Sequence, residues 1–287
     1  MQRSRRREAF PRPTDRYPLG ASGLHVSPIC LGATSPETVR AAFDAGINFF
    51  FISNDLHWHM YEPSMVGLRT LLASGVRRDD IVVASVSYLG QPMFQYLQFD
   101  EMIDAIPGLE RVDLVIAGCA VHDNFLSRVP SLRRACDERK WGCRAIGASF
   151  HDRSTALVGI RSELLDLAYV RYNPAHPNAE LDLFPQLPSD RTCLTYNFKS
   201  TIGFVGNARC RELGLDDSFW KPSITDTYRF ALTRPELDGL LVAPETPAQL
   251  AELVTALESP PLTEEEAAYL KDLVVAAAGR ATLAQSG

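Results

Sequence analysis

Eight short apolar runs, at 28–32, 48–53, 81–86, 113–118, 143–149, 167–172, 192–196 and 239–242, constrain this chain more than any other feature. Each has strand length and little polar interruption, as expected of a strand covered on both faces. Helical segments alternate with most of them. Ser35-Pro36-Glu37 supplies an N-cap, a first-turn proline and an acid for a first helix. Further helices are expected over 64–73, 100–106, 124–139, 224–232 and 247–257. One more is capped by Asp152, and the last opens at Thr263 through a capping box with Glu266. The proline-rich region 174–190 reads as a loop. Eight such units in 287 residues predict an α/β chain folded as one (β/α)8 TIM barrel.

Residues 17–27 read as a β-hairpin with its turn near Ser22-Gly23, placed under the barrel. The domain is expected to span 17–287. Residues 1–16 carry six arginines and two prolines, and read as a disordered, solvated tail. No apolar segment follows Arg5-Arg6 to make an export signal. Apolar residues make up 46% of the chain, enough for a full core, and the net charge of −6 offers nothing to nucleic acid. The six cysteines form no CxxC pair and read as small apolar fillers in a reduced, cytoplasmic setting. The expected partner is a small molecule rather than a nucleic acid or a membrane.

Barrel enzymes keep their chemistry at the C-terminal ends of strands. His57, Trp58 and His59 follow the second run, and His122 follows the fourth. His151-Asp152 follows the fifth, Arg171 and Asn173 end the sixth, and Lys199 follows the seventh. His59 or His122 suits general acid–base work near neutral pH, with Tyr61 or Lys199 assisting. His57-x-His59 is a chelating spacing, but solvated histidines explain it more cheaply and no metal is assigned. Arg171 either holds a substrate carboxylate or phosphate or pairs with Glu180 or Asp182; the sequence leaves both open. Trp58 is a candidate pocket wall, and Asn173 a candidate substrate contact. Cys119 reads as a buried apolar residue.

Four stretches carry a family resemblance. Asp44-Ala-Gly-Ile-Asn-Phe-Phe50 resembles the "DAGINFFD" of the aldo-keto reductases. Residues 19–27, followed by Leu31-Gly32, resemble their opening hairpin and first strand. Arg144-Ala-Ile-Gly-Ala-Ser149 is similar to "RxIGVSN", and Pro247-Ala-Gln-Leu250 to "PEQLEEN". The resemblance runs from about residue 17 to 273. It implies hydride transfer from a nicotinamide cofactor, with a tyrosine acid tuned by a lysine and an aspartate, and a histidine that orients the substrate. Carried across, the aspartate falls on Phe51, the tyrosine on Leu56, the lysine on Val86 and the histidine on Gly118. The usual mechanism is therefore not expected.

For the cofactor, the resemblance assigns Ser149 to the carboxamide and Tyr196 to stacking on the nicotinamide. It puts Glu245 and Gln249 at the adenosine end. A carboxylate at Glu245 would repel a 2′-phosphate, so of NAD(H) and NADP(H) the former is expected to be preferred. The function expected is an NAD(P)(H)-linked oxidoreductase acting on a small carbonyl or hydroxyl compound by a non-standard mechanism. The alternatives are redox-neutral chemistry on His57, His59, His122 and Lys199, and a non-catalytic binding scaffold.

Overall fold

The computed structural model describes residues 9–284. Two short antiparallel strands, β1 (Tyr17–Pro18) and β2 (His25–Val26), form the expected hairpin. The barrel strands are β3 (Ile29–Leu31), β4 (Phe49–Ile52), β5 (Val82–Ser87) and β6 (Leu114–Ala117), then β7 (Ala145–Phe150), β8 (Leu167–Arg171), β9 (Leu194–Phe198) and β10 (Gly239–Val242). All eight are parallel, and β10 pairs with both β9 and β3 to close the ring. Each falls on one of the eight apolar runs. Burial on both faces explains why most of them are continuous apolar runs.

The helices are α1 (Pro36–Asp44), α2 (Trp58–Ala73), α3 (Leu97–Ala105), α4 (His122–Asp137), α5 (Arg153–Arg161), α6 (Ala179–Asp182), α7 (Asn207–Glu212), α8 (Ile224–Leu232), α9 (Pro247–Ala256) and α10 (Glu264–Ala284). Three cap assignments hold. Ser35 Oγ accepts from Thr38 N at 3.3 Å, Asp152 from Thr155 N at 2.7 Å, and Thr263 Oγ1 from Glu266 N at 3.1 Å. Several boundaries shift by a few residues, and two differences stand out. The second helix begins six residues before the expected 64, at Trp58, so Trp58 and His59 lie in its first turn rather than in a loop. The region 174–190 contains the short α6.

The tail expected over 1–16 lies partly outside the described residues. Its second half corrects the expectation, because 9–16 lies against the barrel. Pro11 and Pro13 are buried, Phe10 packs on the core, and Arg16 Nη2 donates to Gly46 O at 2.7 Å. Prolines in such a segment reduce the entropy lost on docking.

Aromatic side chains fill the barrel interior in layers. Tyr196 packs edge-on to Phe49 with centroids 5.8 Å apart, and Tyr169 edge-on to Phe51 at 5.4 Å. Tyr61 then stands 5.9 Å from Phe51, at the upper end of the stack.

Candidate active site at the barrel mouth

Above the aromatic stack lies a cavity of about 530 Å³ at the C-terminal ends of the strands. Its floor is apolar and aromatic, made by Phe51, Tyr169 and Phe198. One wall carries His57, Tyr61 and Tyr88. Cys119, Ser149, His151 and Lys199 also line the cavity.

The four positions set by the resemblance hold no tyrosine–lysine–aspartate–histidine group. Phe51 and Val86 are buried in the barrel, Leu56 is 63% exposed outside the cavity, and Gly118 is bare. A different residue uses the space. Tyr88, just past β5, has its ring over Gly118, where an added Cβ would lie 2.6 Å from Tyr88 Cδ1. Its backbone N–H donates to Asp55 Oδ2 at 2.6 Å, and the His57 ring packs on it at 4.4 Å between centroids. Tyr61 and Tyr88 line the same wall of the cavity, and their phenols interact. Burial drives both phenols above their usual value. Burial pushes Tyr88 up to about 12, with the neighbouring Tyr61 phenol favouring its anion and offsetting part of that effect.

Arg128, on α4, holds the two strand ends beneath this wall. It is fully buried, with Nη1 donating to Gly118 O at 2.9 Å and Nη2 to Ser87 O at 2.8 Å. Tyr88 and Cys119 are the residues that follow those two carbonyls. Arg128 was not singled out in the sequence, since a mid-helix arginine usually reads as solvated.

Cys119 corrects the buried-filler expectation. It is exposed at the rim with φ 49°, and its N–H donates to Ser149 Oγ at 2.8 Å. Burial raises its thiol, with Lys199 and Arg128 acting in the opposite direction. His151, one of the polar residues expected at the strand ends, packs edge-on to Phe198 at 5.1 Å. Partial burial and then the Lys199 and Arg171 charges lower its pKa, so it is neutral at pH 7.

Of the candidate catalytic residues, His57 and Lys199 reach the cavity. His59 and His122 do not. His59 is exposed on α2 against Trp58, at 6.2 Å, and His122 is exposed at the first turn of α4. Trp58 is 51% exposed and lines no part of the cavity. Helix formation from Trp58 onward is the reason: it turns residues 58 and 59 outward while bringing Tyr61 in.

Ser149 stands at the rim as expected. Tyr196 does not: it is fully buried, touches Gly239, and donates its hydroxyl to Ser27 O at 2.7 Å, at the barrel floor. Phe198, two residues on and on the same side of the pleat, is the aromatic that reaches the cavity. Glu245 and Gln249 sit exposed at the start of α9, where Gln249 Oε1 accepts from Glu245 N at 2.7 Å.

Asn173 is buried, donating from Nδ2 to Lys199 O at 2.8 Å, and so positions Lys199 instead of facing the cavity. Arg171 is half-buried outside the cavity. The two acids offered as its partners are engaged elsewhere, Glu180 by Arg234 at 2.7 Å and Asp182 by Arg153 at 2.6 Å. Among the described residues no group of three His, Cys, Asp or Glu side chains converges as a metal site. Nor is any helix there long and apolar enough to cross a membrane.

A closed parallel barrel, a hairpin beneath it and a cavity at its upper mouth define the aldo-keto reductase fold, and the chain has that fold. It superposes on the aldo-keto reductase AKR11C1 from Bacillus halodurans in its holo form with a TM-score of 0.73. The match covers 91% of this chain and 96% of that one at 14% identity. The glycerol dehydrogenase AKR11B4 from Gluconobacter oxydans matches with a TM-score of 0.69, over 91% and 95% of the two chains, at 15% identity. No protein-family model matches the chain, and no curated protein sequence does.

Proposed function

We propose that the chain is a cytoplasmic oxidoreductase that interconverts a small carbonyl compound and its alcohol with NAD(H) or NADP(H), NAD(H) being preferred, and that Tyr88 is its proton donor. The observation that carries this reading is Tyr88 on the cavity wall, over the bare Gly118 and beside Tyr61. Carbonyl reduction adds a hydride to carbon and a proton to oxygen; a bound nicotinamide supplies the hydride.

The residues suit such a cofactor. Phe198 supplies an aromatic ring to the cavity lining. Ser149 Oγ already accepts the Cys119 N–H, which leaves its own proton for a carboxamide oxygen. The preference for NAD(H) rests on Glu245, an exposed carboxylate at the start of α9 that would repel a 2′-phosphate.

Tyr88 works without the family's lysine. A phenol near pH 12 is a weak acid, yet a developing alkoxide is a far stronger base than a phenolate, so proton transfer runs downhill. The neighbouring Tyr61 phenol favours the phenolate that remains. His57, packed on the Tyr88 ring, keeps a buried Nδ1 with no hydrogen-bond partner, so one polar site on this wall is unfilled. The apolar floor limits water around the reacting atoms.

The test is a titration with NADH and NADPH, followed by turnover of small aldehydes and ketones. Tyr88→Phe should keep dinucleotide affinity and lose most turnover. Normal turnover by Tyr88→Phe would sink the proton-donor assignment. A second reading, redox-neutral chemistry, is favoured by the gathering of Cys119, His151 and Lys199 in the cavity lining. It predicts no dinucleotide affinity and an activity that His57→Ala removes.

A further inference from the structure

We propose that Lys199 and His151 form an anion subsite for a carboxylate on the substrate, so that the cavity takes small oxo acids and hydroxy acids in preference to uncharged carbonyl compounds. The inference rests on reading this cavity as the active site. Its first support is charge. The cavity is lined by Lys199, His57 and His151 among ionisable cationic or imidazole groups, and by no aspartate or glutamate. A lysine facing a cavity without a carboxylate leaves a net positive potential for an anion to meet.

Three acids that follow the fifth and sixth barrel strands are committed elsewhere. Asp152 Oδ2 takes the Ser154 hydroxyl at 2.6 Å and the Thr155 N–H at 2.7 Å. Asp182 pairs with Arg153 at 2.6 Å. Glu180 is held by Arg234 at 2.7 Å and Lys271 at 3.1 Å.

The backbone is built to present this lysine. Lys199 adopts φ 58°, a left-handed conformation that a lysine seldom takes. Two hydrogen bonds pin it there: Asn173 Nδ2 to Lys199 O, and Asn197 Nδ2 to Ser200 Oγ, both at 2.8 Å. Such local strain persists only when neighbouring structure enforces it, and it turns Lys199 from the end of β9 to the rim. His151 is oriented by its edge-on contact with the Phe198 ring. Neutral at pH 7, it can donate one N–H beside the ammonium, giving a carboxylate two donors of different character.

A dinucleotide diphosphate shares this anion chemistry, and the experiment separates the two sources. The protein without dinucleotide is titrated calorimetrically with 2-oxobutyrate and with its uncharged amide. The acid should bind about tenfold or more tightly than the amide. Lys199→Gln should erase that difference, Lys199→Arg should restore most of it, and NADH affinity should be unchanged by Lys199→Gln. Equal affinity for acid and amide, no binding of either, or a Lys199→Gln change that weakens NADH and leaves the acid untouched would each overturn the subsite. Lys199-dependent binding of the acid with no NADH affinity would keep the subsite and refute the oxidoreductase reading.

Discussion

The Tyr88 ring fills the space that any side chain at Gly118 would need: an added Cβ would sit 2.6 Å from Tyr88 Cδ1 and 2.8 Å from Val86 Cγ2. The two residues end neighbouring strands, so glycine at one position is what admits the tyrosine at the other. Gly118→Ala should therefore push Tyr88 off its wall. We expect a loss of about 1–3 kcal/mol from overpacking, read as a lower melting temperature, together with a fall in turnover like that of Tyr88→Phe. Unchanged melting and turnover would mean that the ring has room to spare.

Arg128 holds the same two strand ends from below, through the Gly118 and Ser87 carbonyls at 2.9 and 2.8 Å. Arg128→Met keeps the bulk and removes both donors. Gly118 O would then lose its Arg128 donor, while Ser87 O keeps the Gly118 N–H at 2.7 Å, and urea unfolding should report a loss of about 1–3 kcal/mol. An unchanged unfolding midpoint would indicate that other donors or water replace the guanidinium.

Alkaline pH should weaken the fold in a defined direction. Burial raises the phenols of Tyr61, Tyr88 and Tyr169 in the folded chain, whereas an unfolded tyrosine titrates near 10. Between those values the unfolded chain holds fewer protons than the folded one, so stability falls as pH rises. For Tyr88 the loss begins near pH 10 and is complete once pH passes about 12. Denaturant midpoints measured across pH 9–12 should fall less steeply in Tyr88→Phe than in the wild type. Equal slopes would count against a buried, neutral Tyr88.

Tyr196 and Phe198 separate structure from binding. Tyr196→Phe removes the hydroxyl that meets Ser27 O at 2.7 Å, and should cost about 1 kcal/mol in stability with no change in dinucleotide affinity. Phe198→Ala should weaken dinucleotide binding, because its ring forms part of the cavity floor. If fluorescence titration gave the reverse pattern, the stacking role would return to Tyr196.

The barrel was legible in the chain because its information is local. Continuous apolar runs marked the eight strands, and Ser35, Asp152 and Thr263 marked helix starts through contacts spanning three residues. Ser149, His57 and Lys199 were found at the mouth because strand ends are visible in the sequence. Which side chains meet there was a different matter. Strand residues two apart face the same side, so Tyr196 and Phe198 look equivalent until barrel closure puts one on the floor beside Ser27 and the other at the cavity. His59 and Tyr61 likewise differ only in helical angle, and the early start of α2 turned one outward and the other inward. The pairing of Tyr88 with Gly118 depends on the register of β5 against β6, where Ser87 lies opposite Ala117. That register is a long-range hydrogen-bonding choice made when the ring closes, and no local pattern encodes it.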